Sequence, residues 1–408
     1  MTIKNNIPAG YKDSAVGVIP QEWEVKYLGD LLVRLANGLT YDVSITQGFP
    51  VSRIETISSG EINYSKVGYI NDVAGCESYK MQKGDILYSH INSLAHVGKV
   101  AYYDGQQDLY HGMNLLLLRA NDKVDSNYLY TYLLTSQAKH IAQVIAKPAV
   151  NQASISTSDI RKIKLAVPPM EEQRKIAEIL GVWDEAIGKQ SRLIERLEVR
   201  KRALMQRLLT GRTRLPGFTT PWQKIKLGEI FKERNETRYE ELPLLSITAD
   251  KGVILQSESD KKDTSNDDKS KYKRIYPNDI GYNTMRMWQG RSALSSLEGI
   301  VSPAYTIVTP KVAVDMMFVS ELIKQPRVVY DFWTHSQGLV GDTLNCKFHD
   351  FSQVKVAIPS LPEQKAIAEV LTAADNEIAT HYKKLSALRL QKRGLMQQLL
   401  TGKTRVKI

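Results

Sequence analysis

Two stretches of the chain carry apolar residues at alternating spacings of four and three. The first runs Ile176, Leu180, Trp183, Ile187, Gln190, Ile194, Leu197, Lys201, Leu204, Leu208. The second runs Ile367, Leu371, Ala374, Ile378, His381, Leu385, Leu388, Lys392, Leu395, Leu399. Eight of ten positions are apolar in each, and the polar exceptions fall at matching places. Such spacing, held over nearly five heptads, predicts a helix with a coiled-coil seam. One helix cannot cover its stripe alone, so the two are expected to pack against each other, antiparallel. Gln190, Lys201, His381 and Lys392 either fix the register from inside the seam or lean out to water. Pro168-Pro169 and Pro359 to Pro362 precede the runs, and Gly211 and Gly402 close them. At ~1.5 Å per residue, the roughly 40 residues from 171 to 210 extend about 60 Å. That exceeds one turn of B-DNA at ~3.4 Å per base pair.

Between the stripes the pattern changes to short apolar runs. GDILYSHI (84–91), VGKVAYY (97–103) and MNLLLLRA (113–120) read as strands separated by turn residues. SNYLYTYLLTSQAKHIAQVI (126–145) reads as a helix capped by Asp125 or Ser126. Further on, TIVTP (306–310) is strand-like and VDMMFVSELIKQP (314–326) helical. Residues 257–274 are charged and lack apolar periodicity, which predicts a mobile loop.

The chain also repeats itself. KRALMQRLLTGRTRL (201–215) and KRGLMQQLLTGKTRV (392–406) share eleven of fifteen residues at an offset of 191. VPPMEEQRKIAEIL (167–180) and IPSLPEQKAIAEVL (358–371) match at the same offset. Trp23 with Leu28-Gly29-Asp30 resembles Trp222 with Leu227-Gly228-Glu229, and KGDILY (83–88) is echoed by NDIGY (278–282). Each half is therefore a divergent body followed by a similar helical tail. The expected organisation is an α/β chain of two globular bodies separated by two long antiparallel coiled-coil helices, with a pseudo-two-fold internal repeat. The segments are 1–166 (body), 167–215 (helix), 216–357 (body) and 358–408 (helix).

Composition narrows the class. A hydrophobic fraction of 42% with 24% charged residues suits a folded globular chain and argues against disorder. The net charge of +11 favours a polyanionic partner, since neutralised phosphates release counterions. Two distant cysteines, Cys76 and Cys346, exclude a Cys-x-x-Cys zinc site and a disulfide framework. With no signal-peptide core and no long apolar run, a soluble cytoplasmic protein without a membrane partner is expected.

Several fragments imitate catalytic motifs. TGKT (401–404) resembles the end of a phosphate-binding loop, but Gln397 stands where the first glycine is needed. Asp350, Glu363 and Lys365 imitate a metal-dependent nuclease, yet Glu172-Gln173-Arg174 lacks the lysine and both sites fall at helix starts. Val167-Pro168-Pro169-Met170 lacks the amide and aromatic groups of a methyltransferase motif. No catalytic residues and no metal ligands are assigned.

The order of these motifs resembles the specificity subunit of Type I restriction–modification systems. The resemblance rests on IPQEWEVKYLGDLL and TTPWQKIKLGEIF, the KGDILYS segment, the two helix starts and the LMQRLLTGRTRL and LMQQLLTGKTRV ends. It implies two target-recognition domains on double-stranded DNA and a helical spacer that acts as a ruler. It also implies docking of two DNA adenine methyltransferase subunits, with two restriction subunits as possible further partners. The chain itself would bind no cofactor, S-adenosylmethionine and ATP belonging to partner subunits. At Asn278-Asp279 the second body departs from Gly84-Asp85, which puts its strand there in doubt. A stand-alone bipartite DNA-binding protein is the alternative.

Base reading needs donors and acceptors on loops. In the first body the candidates are Ser89, His90, Asn92 and Ser93, with Lys147, Asn151 and Gln152. In the second they are Arg286, Trp288, Gln289 and Arg291, with His335, Gln337 and Asn345. Arg286 and Arg291 lead, because bidentate arginine–guanine pairing is the commonest specific contact.

Overall fold

The computed structural model describes residues 7–150, 152–248, 251–259, 263, 265–338 and 344–408. The chain forms two compact units, one of residues 1–190 with 384–408 and one of residues 191–383.

The first unit is built on a four-stranded antiparallel sheet in the order Leu32–Asn37, Leu116–Ala120, Ile86–Tyr88, Val100–Tyr102. The run of four leucines in MNLLLLRA follows from burial on both faces. Leu116 and Leu118 enter one core with Tyr128, Leu129 and Ile176, while Leu115 and Leu117 enter another with Ile57 and Met81. The second unit repeats this order with Phe231–Arg234, Tyr305–Pro310, Ile280–Asn283 and Ser292–Leu294. The strand in doubt is therefore present. Its turn needs a left-handed residue, which Gly84 supplies at φ +98° and Asn278 at φ +70°. Asp85 and Asp279 then accept the amides of Gln82 and Tyr276, and each also receives an arginine. That arginine is Arg119 in the first unit and Arg234, from the neighbouring strand, in the second.

Some elements differ from expectation. Residues 126–145 form two helices, Ser126–Leu133 and Ser136–Ile145, because the Thr135 hydroxyl accepts from the Ala138 amide and starts a new helix. Asp125 caps the first. In the second unit Met316–Leu322 is followed by a helix absent from the sequence reading, Pro326–His335. Pro326, the last residue of the segment read as helical, instead occupies the first turn of this second helix. The described end of the expected 257–274 loop is ordered: Tyr272 is buried, and Lys273–Ile275 pairs with Gly299–Val301.

The long helices are Met170–Leu208 and Leu361–Leu399, 39 residues each. They run antiparallel wherever they meet inside a unit. In the first unit Asp184 pairs with Lys392. In the second, Lys201 pairs with Asp375, Arg200 with Glu377, and Glu198 accepts from the Tyr382 hydroxyl. Every position of both stripes is buried or half-buried, Gln190 and His381 included. Lys392 is only 9% exposed. Each of the two seam lysines reaches an aspartate on the facing helix.

The helix ends carry the strongest repeat because they close each unit. Glu172, fully buried, accepts Arg405 Nε at 2.7 Å, Arg405 Nη2 at 3.0 Å and Trp23 Nε1 at 2.9 Å. Glu363 does the same with Arg214, at 2.6 and 2.7 Å, and with Trp222 at 3.5 Å. The adjacent Gln173 and Gln364 accept the amides of Asp125 and Asp315 and donate to the carbonyls of Pro168 and Pro359. The glycine of each L-L-T-G end takes φ +68° or +70°, which ends the helix and sends the arginine back to its glutamate.

Candidate nucleic-acid interface

The strand Ile86–Tyr88 continues into the first candidate loop. Ser89 exchanges main-chain bonds with Lys99 and Gly98, and the His90 carbonyl accepts from the Ile155 amide at 2.9 Å. Ile91–Asn92 then pairs with Gln152–Ser154, which pairs with Lys147–Ala149. The two candidate segments, far apart in sequence, thus become one small three-stranded sheet.

Continuing the strand turns Ser89 and His90 inward, which corrects the expectation that they stand on a surface loop. Ser89 is 1% exposed and its hydroxyl accepts from Asn92. His90 is 6% exposed and its Nδ1 is buried without a partner. Burial lowers its pKa to about 4, so the ring is neutral at neutral pH. Ser93, Lys147 and Gln152 are exposed, and Asn92 is half-buried with its amide committed to Ser89 and Ser93. Lys147 lies 4.0 Å from Asp159. Asn151 lies outside the described residues.

The second unit makes the corresponding loop differently. Asn283 donates its amide to the Arg291 carbonyl, and the Arg286 carbonyl accepts from the amides of Gln289 and Arg291. Gly290 closes the turn at φ +72°. Trp288 is half-buried and donates Nε1 to the Met285 carbonyl at 2.9 Å, so its indole braces the turn. Arg286, Gln289 and Arg291 project outward. Cys346 donates to the Thr284 carbonyl at 2.8 Å, the same contact that Ile155 makes with His90. Asn345 pairs with Gln337 through both main chains, which brings the third candidate segment alongside.

Gln337 is exposed but its amide donates to Asp350, and the His335 ring bonds the Asp331 carbonyl. The Asn345 Oδ1 is buried with no partner. It lines a groove of about 620 Å³ with Thr284, Thr306, Lys347 and His349. Sequence reading missed the helix Pro326–His335, which packs on the Met287–Gln289 turn. The three-residue spacing Arg327, Tyr330, Trp333 was the available signal.

The acidic residues that imitate a nuclease have structural partners. Asp350 accepts the Lys347 amide as a helix cap, and Glu363 holds Arg214. TGKT follows the second long helix, with Thr401 bonded back to the Gln397 carbonyl. Among the described residues no group of three His, Cys, Asp or Glu could hold a metal ion, and no helix is long and apolar enough to cross a membrane.

Comparison with known proteins gives a consistent result. Residues 20–199 and 322–390 match the family described as Type I restriction modification DNA specificity domain. A putative type I restriction enzyme MjaX specificity subunit of Methanocaldococcus jannaschii is 33% identical over 97% of both chains. The EcoKI specificity subunit of Escherichia coli is 25% identical over 39% of this chain and 36% of its own. Among solved structures, the S subunit of a Type I system from M. genitalium has a TM-score of 0.57 at 16% identity, covering 98% of both chains. A chain from a structure of type I restriction–modification complex assembly scores 0.58 at 16% identity, covering 95% of this chain and 99% of that one. Repeat, sheet order and comparisons converge: the chain belongs to the family of Type I restriction–modification DNA specificity subunits.

Proposed function

We propose that the chain recognises a bipartite double-stranded DNA site, one part read by each body, and presents it to adenine methyltransferase subunits docked on the long helices. The observation that supports this best is the shared platform of the two bodies. In both, a strand leaves the four-stranded sheet and is pinned by one main-chain bond, Ile155 to His90 or Cys346 to Thr284. Different side chains then project from the same frame. That is what two unlike half-sites would require.

In this reading the first body offers Asn92, Ser93, Lys147, Asn151 and Gln152. The second offers Arg286, Gln289 and Arg291 to base edges, with Trp288 bracing the turn. Ser89, His90, Gln337 and Asn345 support the loops, and His335 stands exposed at the end of the helix Pro326–His335. The subunit is non-catalytic, with chemistry and the S-adenosylmethionine and ATP sites on two methyltransferase and, when present, two restriction subunits. The helices and the closures at their ends set the gap between the half-sites.

The test is adenine-methylation mapping in cells expressing the methyltransferase subunit with and without this chain. A two-part motif with a fixed gap, present only with the chain, is expected. A soluble, active methyltransferase that gains no new motif would leave a stand-alone DNA-binding protein.

A further inference from the structure

The helix Pro326–His335 shows solvent a face out of keeping with a merely structural element. Its inner residues Val328 and Phe332 are buried in the core of the second unit, which fixes its orientation. On the outer side Tyr330 and Trp333 are 53% and 47% exposed, with ring centroids 5.5 Å apart. The Arg327 side chain is 81% exposed, 6.0 Å from the Tyr330 ring and 3.6 Å from Asp331. Gly290 of the neighbouring turn backs onto this helix, since a Cβ there would lie 3.1 Å from Val329. Helix and turn therefore present one continuous surface, on which Arg286 and Arg291 are exposed. Among the described residues neither has an acidic partner.

We propose that this face is the DNA-backbone contact of the second body: Arg327 meets a phosphate, and Tyr330 and Trp333 lie against the adjoining deoxyribose edges. It seats the 285–291 turn over the bases, and it rests on the reading given under Proposed function. Two considerations select DNA over a protein partner. From 284 to 291 and from 326 to 335, three arginines face one aspartate, with His335 beside them, so the surface complements a polyanion. Tyrosine and tryptophan also suit a surface that is apolar on one side and hydrogen-bonding on the other, as sugar next to phosphate is. At the positions corresponding to Arg327, Tyr330 and Trp333, the first unit's helix Ser136–Ile145 carries Gln137, His140 and Gln143. The contact therefore belongs to the second half-site alone. Tyr330 and Trp333 are positioning residues for base reading.

The experiment uses the full chain, assembled with its methyltransferase subunits, on a labelled duplex carrying the mapped site. Binding is followed by fluorescence anisotropy over a series of salt concentrations. For Arg327→Ala the slope of log affinity against log salt is expected to flatten by about 0.9, the loss of one phosphate contact. For Tyr330→Ser with Trp333→Ser, affinity is expected to fall about tenfold with the slope unchanged. Arg327→Lys, and the doubly phenylalanine-substituted variant Tyr330→Phe with Trp333→Phe, are expected to retain binding. Thermal melts matching wild type exclude a folding defect. Unchanged affinity and slope in the first two variants would overturn the proposal. So would loss of co-elution with the methyltransferase subunits while the assembled fraction binds DNA normally, since that outcome makes the face a subunit-docking surface. A wild-type complex that prefers the mapped duplex to a scrambled one keeps the functional reading intact whichever way the variants behave. One with no preference overturns both.

Discussion

Replacing Arg405 by alanine removes two of the three hydrogen bonds that hold the Glu172 carboxylate, whose side chain is 0% exposed. Trp23 remains as its single donor. Breaking a buried ion pair from one side costs about 3–5 kcal/mol, because the remaining charge stays desolvated. Arg405 itself keeps 36% of its side chain exposed, so water can enter the vacated place and screen the charge. A cost at or just below the bottom of that range, about 2–3 kcal/mol, is therefore expected. In a unit of roughly 200 residues, 1 kcal/mol moves Tm by about 2–4 °C, so the first unit's transition should fall by about 4–12 °C. Scanning calorimetry of the full chain measures this, with the second unit's transition as internal reference. The same substitution in a Glu172→Gln background should cost much less, because no charge is stranded. Arg405→Lys should restore the protein only partly, since an ammonium cannot form the two-pronged bond. A shift under about 1 °C, or an equal loss with and without the carboxylate, would refute the idea that this closure holds the unit together.

Acid should weaken the first unit through two buried histidines. Burial lowers both His90 and His111 from the ordinary 6.5 to about 4, the His111 bond to the Leu115 carbonyl opposing this in part. The unfolded chain then takes up protons near pH 6.5 that the folded chain refuses until about pH 4. Their stabilising effect is thus complete above pH 6.5, declines as pH falls to 4, and changes no further below. At about 1.4 kcal/mol per unit the ceiling is roughly 3 kcal/mol for each. Urea midpoints between pH 7 and 4 should show a shallower decline for His90→Gln with His111→Gln, and an unchanged decline would count against the mechanism. At Asn278, glycine should be tolerated within a few tenths of a kcal/mol, while Asn278→Ala should cost about 1 kcal/mol at φ +70°. Equal urea midpoints for the alanine variant and wild type would remove left-handed strain as the reason for asparagine.

The long helices were legible because a coiled-coil stripe is a one-dimensional pattern. Ile176 to Leu208 can be seen to need a partner without knowing where that partner lies. The closures were only half legible. Glu172-Gln173 and Glu363-Gln364 stood out as repeats, but a pairing across more than 200 residues, as from Glu172 to Arg405, leaves no local trace. Boundaries failed where one residue type has two uses. Thr135 sits inside an apparently continuous helical pattern yet caps a new helix, and Pro326 opens a helix where it was read as an end. The candidate loops were recognisable as polar breaks, but the direction of each side chain was not. His90 is polar in sequence and buried in the fold because the strand before it continues through Ser89 and is covered on both faces, Tyr88 entering one core and Leu87 another.

The second unit is one uninterrupted stretch, whereas the first is completed by residues 384–408. Leu399, Leu400 and Arg405, which fill and lock the first core, are therefore translated after all of the second unit. At about 5–20 residues per second, the roughly 190 intervening residues separate the two events by about 10–40 s. During that interval, in which the second unit is itself being synthesised, the nascent first unit exposes the apolar seat around Trp23, Ile176 and Leu180. The order of synthesis thus makes the N-terminal half the last to be completed.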